Sequence, residues 1–234
     1  SIILLKSLGL NVWKIPSGEI TNLPYLREIG TFNQKVILST GMSNIDEVKD
    51  AVGVLEQSGT PRQYLTLLHC HTDYPTELKD ANLRAIVTLA QEFPDIDIGY
   101  SDHTAGIEAA IAAVALGATV IEKHFTLDRK LPGPDHAASL EPDSLKRMIC
   151  MARNARVALG NGVKEPSESE LKNRSVARKS IVASRAIKAG EVFSSHDLTT
   201  KRPGTGICPM MWDSIPGNKA LRDYAPDEFI DAPD

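Results

Sequence analysis

Residues 96–124 read IDIGYSDHTAGIEAAIAAVALGATVIEKH. A short apolar run, Ile96–Gly99, leads into the polar triplet Ser101-Asp102-His103. The stretch from Gly106 to Leu116 is apolar almost all round, the pattern of a well-buried helix. A second short run, Thr119–Ile121, then leads into Glu122-Lys123-His124. The reading is strand, helix, strand, with polar side chains gathered where each strand ends.

The same unit recurs towards the amino terminus. Val12–Ile15, Val36–Leu38 and Tyr64–Leu68 are further strand candidates, short and mostly rich in Val, Ile or Leu, as strands buried on both faces should be. Ser43 is a candidate cap for a helix with Ile45, Val48, Val52 and Leu55 on one face, and Gly59 and Pro61 are its stop signals. Another helix is expected from about Leu83 to Phe93. A last one is expected from near Pro142 to near Gly160, with Leu145, Ile149 and Ala152 in its inner stripe and Gly160 and Gly162 in its C-terminal turn.

Five βα units in a row imply a parallel sheet with right-handed crossovers. A doubly wound open sheet and a (β/α)₈ TIM barrel compete. Polar residues follow every strand: Ser17 and Glu19, Ser39 and Thr40, His69 and His71, Ser101 and His103, Glu122 and His124. A barrel gathers all its strand ends round one site, whereas an open sheet uses mainly those at its switch point. The expectation is therefore the C-terminal five units of a TIM barrel over residues 1–160. The opening SIILLKSLGL reads as the tail of a helix, and three earlier units are expected to be missing from a chain that starts at Ser1.

Residues 161–175, polar with Gly, Pro and Ser, read as a linker. Residues 176–234 carry short β-like pieces and many turn residues and read as a small, mostly β domain. The 234 residues are 42% apolar and 24% charged with a formal net charge of −4, so no basic surplus points to nucleic acid and no apolar run to a membrane. Cys70, Cys150 and Cys208 are odd in number and far apart, which argues against a disulfide framework and fits a reducing, cytoplasmic setting.

Residues i and i+2 on a strand share a face. Ser101 thus points with His103, and Glu122 with His124. Two imidazoles from adjacent strand ends can hold one divalent cation with open positions for water or substrate, or they can be hydrogen-bonded interior histidines. Lys14 can point into the barrel as a fixed cation. The hydroxyls and backbone N–H groups of Ser17-Gly18 and Ser39-Thr40-Gly41 suit phosphate or carboxylate oxygens, or simply make turns and a cap. Thr72 and Tyr74 offer hydroxyls. His69-Cys70-His71 with Asp73 is not read as a metal site, because alternation sends Cys70 away from the face of the two histidines. Asp135 lies in a long loop after the last strand, where it could bind sugar hydroxyls or simply belong to a solvated turn, and Lys201-Arg202-Pro203-Gly204 is a basic turn that by itself reads as ordinary surface charge.

KIPSGE, LSTGM, LLHC with YPT, GYSDHT, VIEKHFTLD, GPDHAASL, ARKSIVA and KRPGTGI together resemble the N-acetylneuraminate (sialic acid) synthase family, legionaminic acid synthases included. The tail is similar to its antifreeze-like, or SAF, domain. The resemblance implies that KIPSGE sits on the fourth strand and that the chain alone, lacking three units, is inactive. It implies His103 and His124 as ligands of a divalent metal, Mn²⁺ before Mg²⁺ or Co²⁺. Lys14, Ser17, Ser39 and Ser101 would bind phosphoenolpyruvate, and Tyr74 and Asp135 the sugar. Glu122 would orient water beside the second histidine. Arg202 would reach the N-acyl group in a partner subunit's site through a domain-exchanged homodimer. Thr72 departs from the pattern, since some members have Asn there, and this bears on one hydrogen bond and on the substrate subtype. The expected reaction joins phosphoenolpyruvate to an N-acylated hexose, giving a nonulosonic acid and phosphate. A metal-dependent barrel hydrolase and a non-catalytic carbohydrate-binding protein are the alternatives.

Overall fold

In the computed structural model, residues 2–232 are described, and they divide into two compact units, one up to Gly162 and one from Val163. The first unit begins with helix α1 (Ile2–Ser7) and then alternates strands and helices. Its strands are β1 (Val12–Ile15), β2 (Lys35–Ser39), β3 (Leu65–Cys70), β4 (Asp97–Asp102) and β5 (Val120–Lys123). Between and after them run α2 (Leu23–Gly30), α3 (Ile45–Ser58), α4 (Ala85–Glu92), α5 (Glu108–Ala115) and α6 (Pro142–Ala158). The strands pair in sequence order, all parallel.

Four strands run one to three residues past their expected ends, carrying polar residues such as Ser39, Cys70 and Ser101 into the ladder. The apolar periodicity stops before the hydrogen bonding does. Trp13, Ile15, Val36, Leu38, Leu65, Leu67, Ile98 and Tyr100 form the core with Leu26, Ile29, Val52, Leu55 and Ile86 from the helices. The opposite face carries Lys14, Ile37 and Thr66, aligned across β1–β3, and then Cys70, Ser101 and Glu122, aligned across β3–β5.

That second face is strongly concave. Strands lie about 4.8 Å apart, so in a flat sheet β1 and β5 would be about 19 Å apart. Yet Lys14 Nζ of β1 stands 3.4 Å from Glu122 Oε2 of β5. Only a sheet curled like part of a barrel wall brings them together. Gly99 helps: a Cβ there would sit 2.5 Å from Leu68 Cδ2 and 2.5 Å from the Val120 carbonyl oxygen.

Three helix expectations change. The α3 cap is Asn44, not Ser43: its side chain accepts from the Asp46 and Glu47 N–H groups while Glu47 caps back, a reciprocal box that a hydroxyl one residue earlier cannot reach. On α6 the buried residue is Met148, with Leu145 packed against the same small cluster, whereas Ile149 is 39% exposed because the covered stripe is narrow. Within the stretch read as a linker, α7 (Glu168–Ala177) forms, begun by a capping box between Ser167 and Glu170. Its few apolar residues, Leu171 and Val176 among them, form no stripe and none of its residues is buried, which is why it carries no amphipathic signal.

The second unit contains α7 and an antiparallel pair, β6 (Ser180–Ala183) with β7 (Leu198–Lys201), extended by single bridges such as Val182 to Phe229 and Ile187 to Tyr224. Ile181, Ile187, Phe193, Leu198, Ile215, Tyr224 and Ile230 make its own core. Among the described residues no helix is long and apolar enough to cross a membrane, and all three cysteines are free.

Candidate active site

The concave face is floored by Lys14, Ser39, Ser101 and Glu122. Lys14 Nζ donates to Ser39 Oγ at 2.8 Å and pairs with Glu122, whose other oxygen accepts from Ser101 Oγ at 2.7 Å. A cation, two hydroxyls and a carboxylate are thus joined across the strand ends. Lys14 is paired but open to solvent, so an arriving anion can take it over.

His103 and His124 stand above this floor, each one residue beyond the last paired residues of β4 and β5. Their ring centroids are 5.4 Å apart and edge to face. His103 Nδ1 lies 2.5 Å from the His71 carbonyl oxygen. A carbonyl only accepts, so Nδ1 carries the proton and Nε2 keeps its lone pair. Burial pushes His103 below the ordinary histidine pKa, with the His71 hydrogen bond opposing and the neighbouring His124 reinforcing. Tyr74 covers the pair, its ring centroid 4.1 Å from His103 and 5.5 Å from His124. Its phenol pKa is raised, chiefly by burial and then by Cys70, Asp135 and Glu122, so it stays a hydroxyl donor. Asp135 Oδ2 reaches to 4.0 Å from His124 Nδ1.

Ser17, Gly41, Cys70 and Thr72 form a second small cluster. Gly41 N–H donates to Ser17 Oγ at 3.0 Å, and Cys70 Sγ lies 3.1 Å from the same oxygen. A Cβ on Gly41 would meet Ser17 Oγ and Thr72 Cγ2 at 2.8 Å and Cys70 Sγ at 3.0 Å. The expectation for the LLHC strand is corrected in one respect. Alternation holds, but the concave face belongs to Cys70. His69 faces the helix side, its Nε2 at 2.9 Å from the Ala81 carbonyl oxygen. Register would have shown this, since Cys70 pairs with Ser101 in the ladder. Arg202 belongs to the second unit, exposed, with Nε donating to the Ala177 carbonyl at 3.0 Å.

Two imidazoles, one with its free lone pair fixed by a backbone carbonyl, suit a divalent cation of the zinc or manganese type with open coordination positions. Among the described residues no group of three or more His, Cys, Asp or Glu forms a fuller cage.

The NeuB family model matches residues 1–164, and the SAF domain model matches residues 178–234. The N,N'-diacetyllegionaminic acid synthase of Campylobacter jejuni subsp. jejuni is 53% identical over 230 residues, 98% of this chain and 69% of that protein. The enzyme of the same name from Legionella pneumophila is 46% identical, over 94% of this chain and 62% of its own length. A solved N-acetylneuraminic acid synthetase from Leptospira borgpetersenii superposes with a TM-score of 0.68 at 40% identity, covering 74% of this chain and 59% of that one. The chain therefore spans roughly two thirds of the length of such relatives.

Proposed function

The chain belongs to the NeuB family, and from that premise we propose that it forms the metal-binding face and SAF domain of a synthase joining phosphoenolpyruvate to an N-acylated hexose. The observation that carries this reading is the apposition of His103 and His124, 5.4 Å apart, over the Lys14, Ser39, Glu122 and Ser101 floor. The match to two N,N'-diacetyllegionaminic acid synthases, at 53% and 46% identity, favours a diacetylated hexose over N-acetylmannosamine.

Lys14, Ser17, Ser39 and Ser101 neutralise and place the phosphate and carboxylate of phosphoenolpyruvate. Tyr74 and Asp135 hold the open-chain sugar with its aldehyde towards C3 of phosphoenolpyruvate, and Thr72 lines the wall beside Gly41. C3 bonds to the aldehyde carbon. Water, oriented by Glu122, adds at C2; one of its protons ends on the former aldehyde oxygen and the other leaves with phosphate as the C2–O(phosphate) bond breaks and C2 becomes a ketone. Holding both substrates in one site supplies much of the acceleration. When bound at His103 and His124, a manganese-type cation supplies Lewis-acid polarisation of a carbonyl. The reading includes a complete (β/α)₈ barrel, with three units beyond the five strands here, and a homodimer in which Arg202 contacts the N-acyl group of the partner's substrate. The free cysteines fit a cytoplasmic enzyme.

The test is phosphate release from phosphoenolpyruvate with Mn²⁺ and each sugar in turn. It is run on this chain and on a chimera that adds the part of the Campylobacter relative left unmatched. Release from the chimera that requires both metal and diacetylated sugar, and is lost in His103→Ala, is expected. No release with any sugar from a folded chimera that binds Mn²⁺ would sink the synthase reading.

A further inference from the structure

We propose that the buried Asp102–Lys123 ion pair, knotted through Thr104, is a positioning device that fixes the imidazole of His103 relative to that of His124. The two residues are direct partners in the ladder, the last pair of β4 with β5. Asp102 Oδ2 and Lys123 Nζ are 2.9 Å apart, with side chains 0% and 2% exposed. Asp102 Oδ1 also accepts from the Thr104 N–H at 2.9 Å and from Thr104 Oγ1 at 2.8 Å, and Lys123 Nζ donates to the Thr104 carbonyl at 2.5 Å.

Each member adjoins a site residue. Asp102 and Thr104 flank His103, while Lys123 sits between Glu122 and His124. Neighbours along extended chain point to opposite faces, so a lock on the helix side sets the side chains on the concave side. Both histidines lie just past the ladder, where strand pairing no longer holds them. The knot also grips the covering loop, because Thr104 bridges to Thr76, and Thr76 N–H donates to the His103 carbonyl at 2.9 Å. That loop carries Tyr74 and the His71 carbonyl that sets the His103 tautomer. A buried ion pair adds little stability over an apolar pair of the same shape, so stability alone does not account for it. The inference rests on the reading of the two histidines as one metal site.

The test uses the 234-residue protein. Nitrogen-15 NMR of labelled histidine reads the His103 tautomer without metal, and titration with Mn²⁺ alone reads affinity. Asp102→Leu with Lys123→Met replaces the pair by apolar side chains. Because the buried Thr104 N–H, hydroxyl and carbonyl lose their partners, a lower melting temperature is expected, together with a mixed His103 tautomer and an Mn²⁺ affinity roughly 10- to 100-fold weaker. Asp102→Asn with Lys123→Gln remakes the hydrogen bonds without charge and should recover most of both. A folded apolar variant with an unchanged tautomer and the parent's Mn²⁺ affinity overturns the inference. If that variant does not fold, Thr104→Val, which removes a hydroxyl and no charge, decides: a mixed tautomer supports the lock and a fixed one overturns it. A parent chain that binds no Mn²⁺ sinks the metal reading instead, and the tautomer then decides the positioning by itself.

Discussion

Gly41 shows how little room the corner beside Ser17 has. With no side chain it lets its N–H approach Ser17 Oγ to 3.0 Å, and an alanine Cβ would press on Ser17, Thr72 and Cys70 at once, at 2.8, 2.8 and 3.0 Å. Gly41→Ala is therefore expected to displace the Ser17 hydroxyl and raise KM for phosphoenolpyruvate by about 5- to 100-fold, one polar contact's worth, with less change in kcat. An unchanged KM in the chimera would show that Ser17 does not touch that substrate. His69, on the other side of the same strand, makes a pH prediction. Burial lowers its pKa, against the opposing hydrogen bond to Ala81. The unfolded chain takes up a proton near pH 6.5 that the folded chain refuses until lower pH. Stability is then full above about pH 6.5 and falls as pH drops from there to the lowered folded value. His69→Gln, which can still donate to Ala81, should lose less melting temperature than the parent between pH 7.5 and 5.5. His103, shifted the same way, leaves a residual slope. Equal losses in parent and variant would remove His69 from the account.

Among the elements, α3 is the one whose start is most fully specified. Asn44 satisfies two of the orphan N–H groups and Glu47 returns the bond to the Asn44 N–H. Asn44→Ala should cost about 0.5–2 kcal/mol in chemical denaturation, while Ser43→Ala, at the position that sequence alone suggested, should cost less. The reverse order would mean that Ser43 Oγ, which donates to the Gly41 carbonyl, matters more than the box. The same element shows where sequence reading stops. Ser, Asn and a following Glu all fit capping chemistry, and only backbone geometry chooses between adjacent residues. The strands were legible because each is a short run, mostly rich in Val, Ile or Leu, whose helix-side residues enter the core. Their polar ends were not, because hydrogen bonding continues through Ser39, Cys70 and Ser101 after apolarity has stopped. The residues that meet at the site could be picked out by type at the strand ends. The lock behind them could not, since Asp102 and Lys123 look like surface charges until their register puts them opposite each other.

For the molecule as a whole, the two units have separate cores. The first is built on the parallel sheet, the second on Ile181, Ile187, Phe193, Leu198, Ile215, Tyr224 and Ile230. The second unit also closes its own polar groups. Asp197 accepts from Ser194 N–H and Oγ and from Arg185 Nε, all within 2.8 Å, and these bonds hold its carboxyl below the usual carboxylate range. Arg222 bonds Glu228 and Asp231, and Asp231 also accepts from Tyr224. A domain this small is marginal, since little of its surface can be buried. Yet its apolar side chains pack chiefly on one another, the condition for folding alone. Residues 163–234 expressed by themselves should therefore give dispersed amide NMR signals and one cooperative thermal transition. That transition should weaken as pH falls below about 4, the unfolded carboxylate value, down to the lower folded value at which Asp197 takes up its proton and the Ser194 and Arg185 bonds lose their acceptor. Because folding lowers the Asp197 pKa, the stabilisation is present above the unfolded carboxylate value and is lost as pH falls through the folded one. A collapsed, poorly dispersed spectrum at neutral pH would show instead that this core does not suffice by itself, and the SAF match would then mark a dependent module rather than an independent domain.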